Sequence, residues 1–234
     1  MEDIDAIAVL QDPVRRRLYE YVAAQGREVG RNEAAEAAGV TRTLAAHHLD
    51  RLTEAGLLES GSRRLTGRSG PGAGRPAKVY TRARVERSVS LPARDYRTAA
   101  ELLAEAAELA GLDAGLCAAA RRRGEALRGS AAPCGGLEEA MAALAARGYE
   151  PHLEPHAEGS EGEPGGDADA AGSVIRMGNC PFHAVAERFP PLVCGMNLAL
   201  LEGLLGADGP VRARMDARPG ECCVVVEASK NNVD

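Results

Sequence analysis

Four cysteines fall close together near the end of the chain: Cys180, Cys194, Cys222 and Cys223. Thiolates are soft donors, and three or more gathered around one centre suit an iron–sulfur cluster or zinc. The sequence Asn179-Cys180-Pro181 sets one thiol at the expected start of a helix, where free amides and the helix dipole favour the anion. Cys194 is expected in or beside the following helix. The Cys222-Cys223 pair is expected at the entrance of a strand, where neighbouring side chains point oppositely, so one of the two would face a shared site. The spacing is neither a paired CxxC nor that of a zinc finger. Buried small apolar cysteines would show the same pattern.

The other residues capable of recognition are basic and lie near the start. Residues 1–90 hold 15 Arg/Lys and 12 Asp/Glu, whereas the remaining chain holds 13 and 22. Eight basic residues and a single acid, Glu86, lie between Ser60 and Arg87. The formal net charge of −6 therefore conceals a basic first part and an acidic second part. Such asymmetry fits a nucleic-acid-facing half joined to a half with another task.

The elements that would position these groups can be read from periodicity. Residues 4–25 repeat apolar side chains at three- and four-residue steps, with Asp12 and Pro13 opening a new helix. Asn32 is a candidate cap for a short helix over 33–38, and Gly39 a tight turn. Thr41 caps a second helix running to about Ala55, with Leu44, His48, Leu49 and Leu52 inward and Thr41, Arg42, Thr43, Ala46 and His47 outward. Residues 57–60 and 77–82 suit strands. Between them, five Gly and two Pro from Gly61 to Pro76 forbid a helix and make a long basic tip.

This order is that of a winged helix-turn-helix. A major groove admits one helix, and a basic ribbon beside it can reach phosphates or the minor groove. Arg42 is the best candidate for a base contact, since a guanidinium pairs with guanine through two donors. His47 suits base or phosphate, and Arg51 phosphate. Arg63, Arg64, Arg68, Arg75 and Lys78 suit phosphate or minor-groove contacts.

The rest reads as mixed. Residues 95–128 are helical, broken near Gly111 and Gly115, and Arg94–Leu109 is a candidate dimer helix. Helices are expected over 137–147, 181–188 and 192–205. Strands are expected over 152–156, 173–177, 211–217 and 222–227. Residues 157–172, with five acids and no base, read as a disordered loop. The expected class is α+β: a DNA-binding domain over 1–92, a helical linker and dimerisation segment over 93–130, and a cysteine-containing sensor domain over 131–234. No phosphate loop, dinucleotide fingerprint or HExxH occurs, so no enzyme is expected. His152 and His156 of HLEPH could bind metal on a strand, although Pro155 favours a surface role. No stretch approaches the ~18 apolar residues of a membrane span, and the acidic start lacks the order of a signal peptide. A cytoplasmic protein with reduced thiols, without membrane contact, is expected.

Residues 1–92 resemble the winged-helix domain of ArsR-like bacterial regulators. The segments DPVRRRLYEYV, NEAAEAAGVTRTLAAHHLDRLTEAGLL and GPGAGRPAKVY carry the likeness. The resemblance implies a homodimer that binds a palindromic double-stranded operator. Gly178–Val226 resembles the C-terminal sensor region of SufR-type iron–sulfur regulators. This implies a 4Fe–4S cluster held by Cys180, Cys194 and one of the pair, Cys223 slightly ahead of Cys222. It also implies a repressor whose affinity for DNA follows iron or redox state; the alternative is a winged-helix regulator that senses zinc or a small apolar ligand without a cluster. Some relatives carry a further cysteine where this chain has GLLGADGPV, which leaves the fourth ligand open between Asp208, His183, the other thiol of the pair, a small thiol and water.

Overall fold

The computed structural model describes residues 2–63, 76–155 and 173–229. The chain divides into two compact units, Met1–Arg94 and Asp95–Asp234.

In the first unit, α1 (Glu2–Ala8) and a 3-10 turn (Val9–Gln11) lead into α2 (Pro13–Gln25). The Asp12 carboxylate caps α2 by accepting from the amides of Val14 at 2.8 Å and Arg15 at 3.0 Å. The short β1 (Val29–Gly30), α3 (Arg31–Ala38) and α4 (Arg42–Glu54) follow. Gly30, not Asn32, is the residue that precedes α3, because β1 runs directly into the helix. Between α3 and α4 the chain reverses at Gly39, whose φ of +65° is open to glycine at little cost. The Thr41 hydroxyl then accepts from the Leu44 amide at 3.3 Å. Strands β2 (Leu58–Arg63) and β3 (Ala77–Arg82) pair antiparallel from Leu58↔Arg82 to Arg63↔Ala77. Strand β1 adds to the other side of β3, giving the order β1-β3-β2.

The core of this unit joins Leu18 and Val22 of α2, Ala34 of α3, Ala45, Leu49 and Leu52 of α4, and Leu58 and Tyr80 of the sheet. Burying each such leucine contributes about 1.5–3 kcal/mol. Ala45 occupies the inward place expected for Leu44, which is 41% exposed. His48, Leu49 and Leu52 are buried as expected, and Ala45 completes their i, i+3, i+4 face one position from Leu44.

The second unit contains α5 (Tyr96–Leu109), α6 (Asp113–Arg128), α7 (Leu137–Ala145), β4 (Pro151–Pro155), β5 (Ser173–Met177), α8 (His183–Ala186), α9 (Pro190–Leu205), β6 (Val211–Met215) and β7 (Val224–Ala228). Its sheet is antiparallel in the order β4-β5-β7-β6. Helix α9 is apolar nearly all round, and nine of its 16 residues are buried. Helix α6 crosses it at Gly124 and Gly203, where a Cβ would fall 2.1 Å from the Leu200 carbonyl and 2.2 Å from the Arg121 carbonyl. The break near Gly111 is real, at φ +62°, but Gly115 sits within α6. Helix α8 is a single turn, shorter than the expected 181–188, since Pro190 starts a new helix. The expected acidic loop, 157–172, lies outside the described residues.

Candidate nucleic-acid interface and cysteine site

Helix α4 begins at Arg42, and Thr41, Arg42, Thr43 and His47 are all exposed. Arg42 has no ion-pair partner among the described residues, so its guanidinium is available to a ligand. Ala46 is half-buried. His48, by contrast, is buried, and its Nδ1 has no partner among the described residues. Burial holds its imidazole below the ordinary value, against the pull of Asp12.

An open groove beside α4 is lined by Arg27, Arg31, Arg42, Arg63 and Lys78. Several of these cations have partners. Arg27 bonds to Glu33, and Arg63 to Glu28 at 3.2 Å. Arg51 lies outside that lining and pairs with Glu54 at 3.0 Å. Exposed pairs of this kind are worth about 0–1 kcal/mol, so a phosphate can replace the carboxylate. Lys78 differs. Its Nζ bonds to Asp50 at 2.8 Å, and Asp50 also accepts from the Tyr80 hydroxyl at 2.7 Å and from Arg31 at 3.2 Å. Lys78 is therefore tied to α4 through Asp50. Arg64, Arg68 and Arg75 lie outside the described residues.

Sequence reading missed Arg31. Its role depends on β1, a two-residue strand too short for periodicity, and on partners 19 and 49 residues away. Its Nε donates to the Tyr80 hydroxyl at 2.9 Å. Tyr80 is fully buried, and burial together with the neighbouring Asp50 pushes its phenol up to about 12.

In the second unit the cysteines meet in pairs. Cys194 of α9 and Cys223 form a disulfide with their Cα atoms 6.5 Å apart. Cys180, between β5 and α8, hydrogen-bonds to Cys222. Both members of the Cys222-Cys223 pair reach a sulfur partner, because they precede β7 and escape strand alternation. Cys222 is buried and accepts from Asn197 Nδ2 at 3.4 Å. Asn197, itself buried, accepts from the Tyr149 hydroxyl at 2.5 Å. The bond from Cys222 and the amide of Phe182 draw the Cys180 thiol down to about 7, while the Cys222 thiol is pushed up by the same bond and by burial.

The other proposed ligands are placed differently. Asp208 is exposed in the turn after α9. His183 is exposed and pairs with Glu187 at 3.2 Å. Cys117 of α6 lies 3.7 Å from where a Cβ on Gly195 would stand, next to Cys194 in sequence. Cys134 is buried in the core of the unit.

His152, Glu154 and Glu221 bring donor atoms within 4.8 Å of one another. Arg176, only 1% exposed, already bonds to Glu154 at 3.0 Å, to Asp216 at 2.7 Å and to Glu221 at 3.5 Å. Arg218 adds a further bond to Glu154 at 2.8 Å. Guanidinium groups therefore supply the positive charge that a metal would bring. His156 lies outside the described residues.

Residues 10–61 match the family model of a helix-turn-helix domain. This span takes in α2, α3 and α4. Searches of the curated proteins and of the solved structures find no match. Among the described residues, no helix is long and apolar enough to cross a membrane. The helix-turn-helix match points to a DNA-binding transcription regulator.

Proposed function

We propose that this chain is a winged-helix repressor that reads an operator with α4 and senses iron or redox state through its cysteines. The carrying observation is the exposed Arg42 at the start of α4, without an ion-pair partner among the described residues, within a matched helix-turn-helix domain. In this reading Arg42 and His47 face base edges, while Arg51 and Arg63 exchange their carboxylate partners for phosphates. The hairpin of β2 and β3 is the wing.

A homodimer supplies the second recognition helix. Tyr96 and Leu103 of α5 are seven residues apart, as are Leu102 and Leu109, and all four are exposed. Ala100, Ala104 and Ala107 form a less exposed strip beside them. Heptad spacing of exposed apolar residues suits packing against the same helix of a second copy. Two-fold symmetry would then favour a palindromic site.

Four thiols are, by donor chemistry, suited to an iron–sulfur cluster. Cys180, Cys194, Cys222 and Cys223 bring sulfur from the β5–α8 connection, from α9 and from the segment before β7. Cys180, Cys194 and Cys223 are the first-choice ligands, and Cys222 is the fourth, ahead of exposed Asp208 and His183. A 4Fe–4S group bound there would supply one-electron redox chemistry and sensitivity to oxidants. Ligation requires thiolates, so the reduced chain is the form that would take it. Asn197 and Tyr149 orient Cys222 from behind.

The Cys194–Cys223 bond favours a second reading, in which the pair is itself a thiol–disulfide sensor and no cluster binds. Anaerobic purification with iron, sulfide, zinc and thiol analysis separates the readings. Brown protein containing iron and sulfide, reduced by Cys180→Ser and by Cys194→Ser, supports the cluster. Stoichiometric zinc in colourless protein supports a zinc sensor. Metal-free protein whose titratable thiols rise by two on reduction supports the disulfide.

A further inference from the structure

We infer that Asp50 is a positioning residue of the DNA interface, holding Lys78 and Arg31 in register with the exposed side of α4; this rests on the DNA-binding reading above. Asp50 lies three residues after His47 and four after Ala46, on the same side of the helix. A carboxylate there is repelled by phosphate, so on charge alone it weakens binding to any duplex. The structure gives it a compensating task.

Asp50 is bonded from three directions, by Lys78 of β3, by Tyr80 of β3 and by Arg31 at the start of α3. Arg31 closes the ring by donating to the Tyr80 hydroxyl. Tyr80 is the anchor. Its side chain is fully buried, and its backbone is paired with Val29 on one side and Ser60 on the other. The ring therefore joins the helix, the hairpin and the preceding helix through a side chain that cannot swing away.

This arrangement differs from the exposed pairs Arg51–Glu54 and Arg63–Glu28, which involve two mobile side chains each. Arg31 and Lys78 both line the groove beside Arg42. With one anion between two cations, the cluster keeps a net positive charge while the cations' positions are set. Loss of Asp50 leaves the cations in place but lets them move. Sequence-independent attraction then rises, and discrimination among sequences falls, because only the latter depends on register.

The test uses the full-length chain with two duplexes. One is selected by the wild-type protein from a randomised pool; the other is an unselected duplex of equal length and composition. Asp50→Asn is expected to bind the selected duplex about tenfold more weakly, within the range for side chains sharing one network. Its affinity for the unselected duplex is expected to hold or rise, with a salt dependence steeper by about one released counterion as Lys78 becomes free. Tyr80→Phe, which keeps the ring and changes no charge, is expected to narrow the same ratio. If Asp50→Asn fails to fold by circular dichroism, Tyr80→Phe decides. Equal tightening on both duplexes by Asp50→Asn, or a wild-type ratio in Tyr80→Phe, would overturn the inference. Failure of the wild-type protein to select any duplex would overturn the DNA-binding reading itself, before either variant is made.

Discussion

Arg42 and His48 sit six residues apart on α4 and have opposite environments. Arg42 is exposed, and its truncation should cost about 1–3 kcal/mol of affinity for a selected duplex, with relaxed preference at one base pair. Competition binding with singly substituted duplexes measures both effects for Arg42→Ala. His48 is buried with an unpartnered Nδ1 and an imidazole held low by burial. The unfolded chain, with an ordinary imidazole, therefore binds a proton more readily than the folded one. Stability is full above the ordinary value of 6.5 and is lost as pH falls below it. Amide protection of Leu49 and Leu52 by hydrogen exchange should fall between pH 7.5 and 5.5, and His48→Gln should flatten that dependence. A protection unchanged by pH in the wild type would contradict the assignment. Both residues were legible in the sequence, since helical periodicity separates inward from outward positions. Leu44 and Ala45 were not, because hydropathy favours the leucine while the face set by His48, Leu49 and Leu52 takes the alanine at 45.

Elements were legible where local chemistry decides them. Asp12-Pro13 starts α2, Thr41 caps α4 and Gly39 makes the turn, each through contacts a few residues long. Strand β1 and the buried Arg176 were not legible, since both depend on partners distant in the chain. The close crossing of α6 and α9 is of the same kind. Gly203→Ala would place a Cβ against the Arg121 carbonyl, and should destabilise the second unit by about 1–3 kcal/mol or more, as overpacking does. A lowered urea midpoint checks this; an unchanged midpoint would show that the helices can separate freely. On α5, Leu102→Glu with Leu103→Glu should convert a dimer to a monomer in sedimentation equilibrium, with unchanged helix content. A dimer that persists would place the interface elsewhere.

For the whole molecule, the excess of basic residues falls in the first unit and the grouped cysteines in the second. The thiol site was legible as a set of residues, but its pairing was not. Cys222 and Cys223 both find partners because the chain is irregular just before β7, and strand alternation predicts otherwise. The central claim is that the first unit docks α4 against duplex DNA, and its most direct test is a fluorescence-anisotropy titration of a labelled 30-base-pair duplex (about three helical turns) across a range of salt concentrations. The expected result is association at low salt that weakens steeply as salt rises, in proportion to the phosphates neutralised, and that weakens further in Arg42→Ala. Absence of any salt-sensitive association with the folded protein, in reduced and oxidised forms alike, would contradict it.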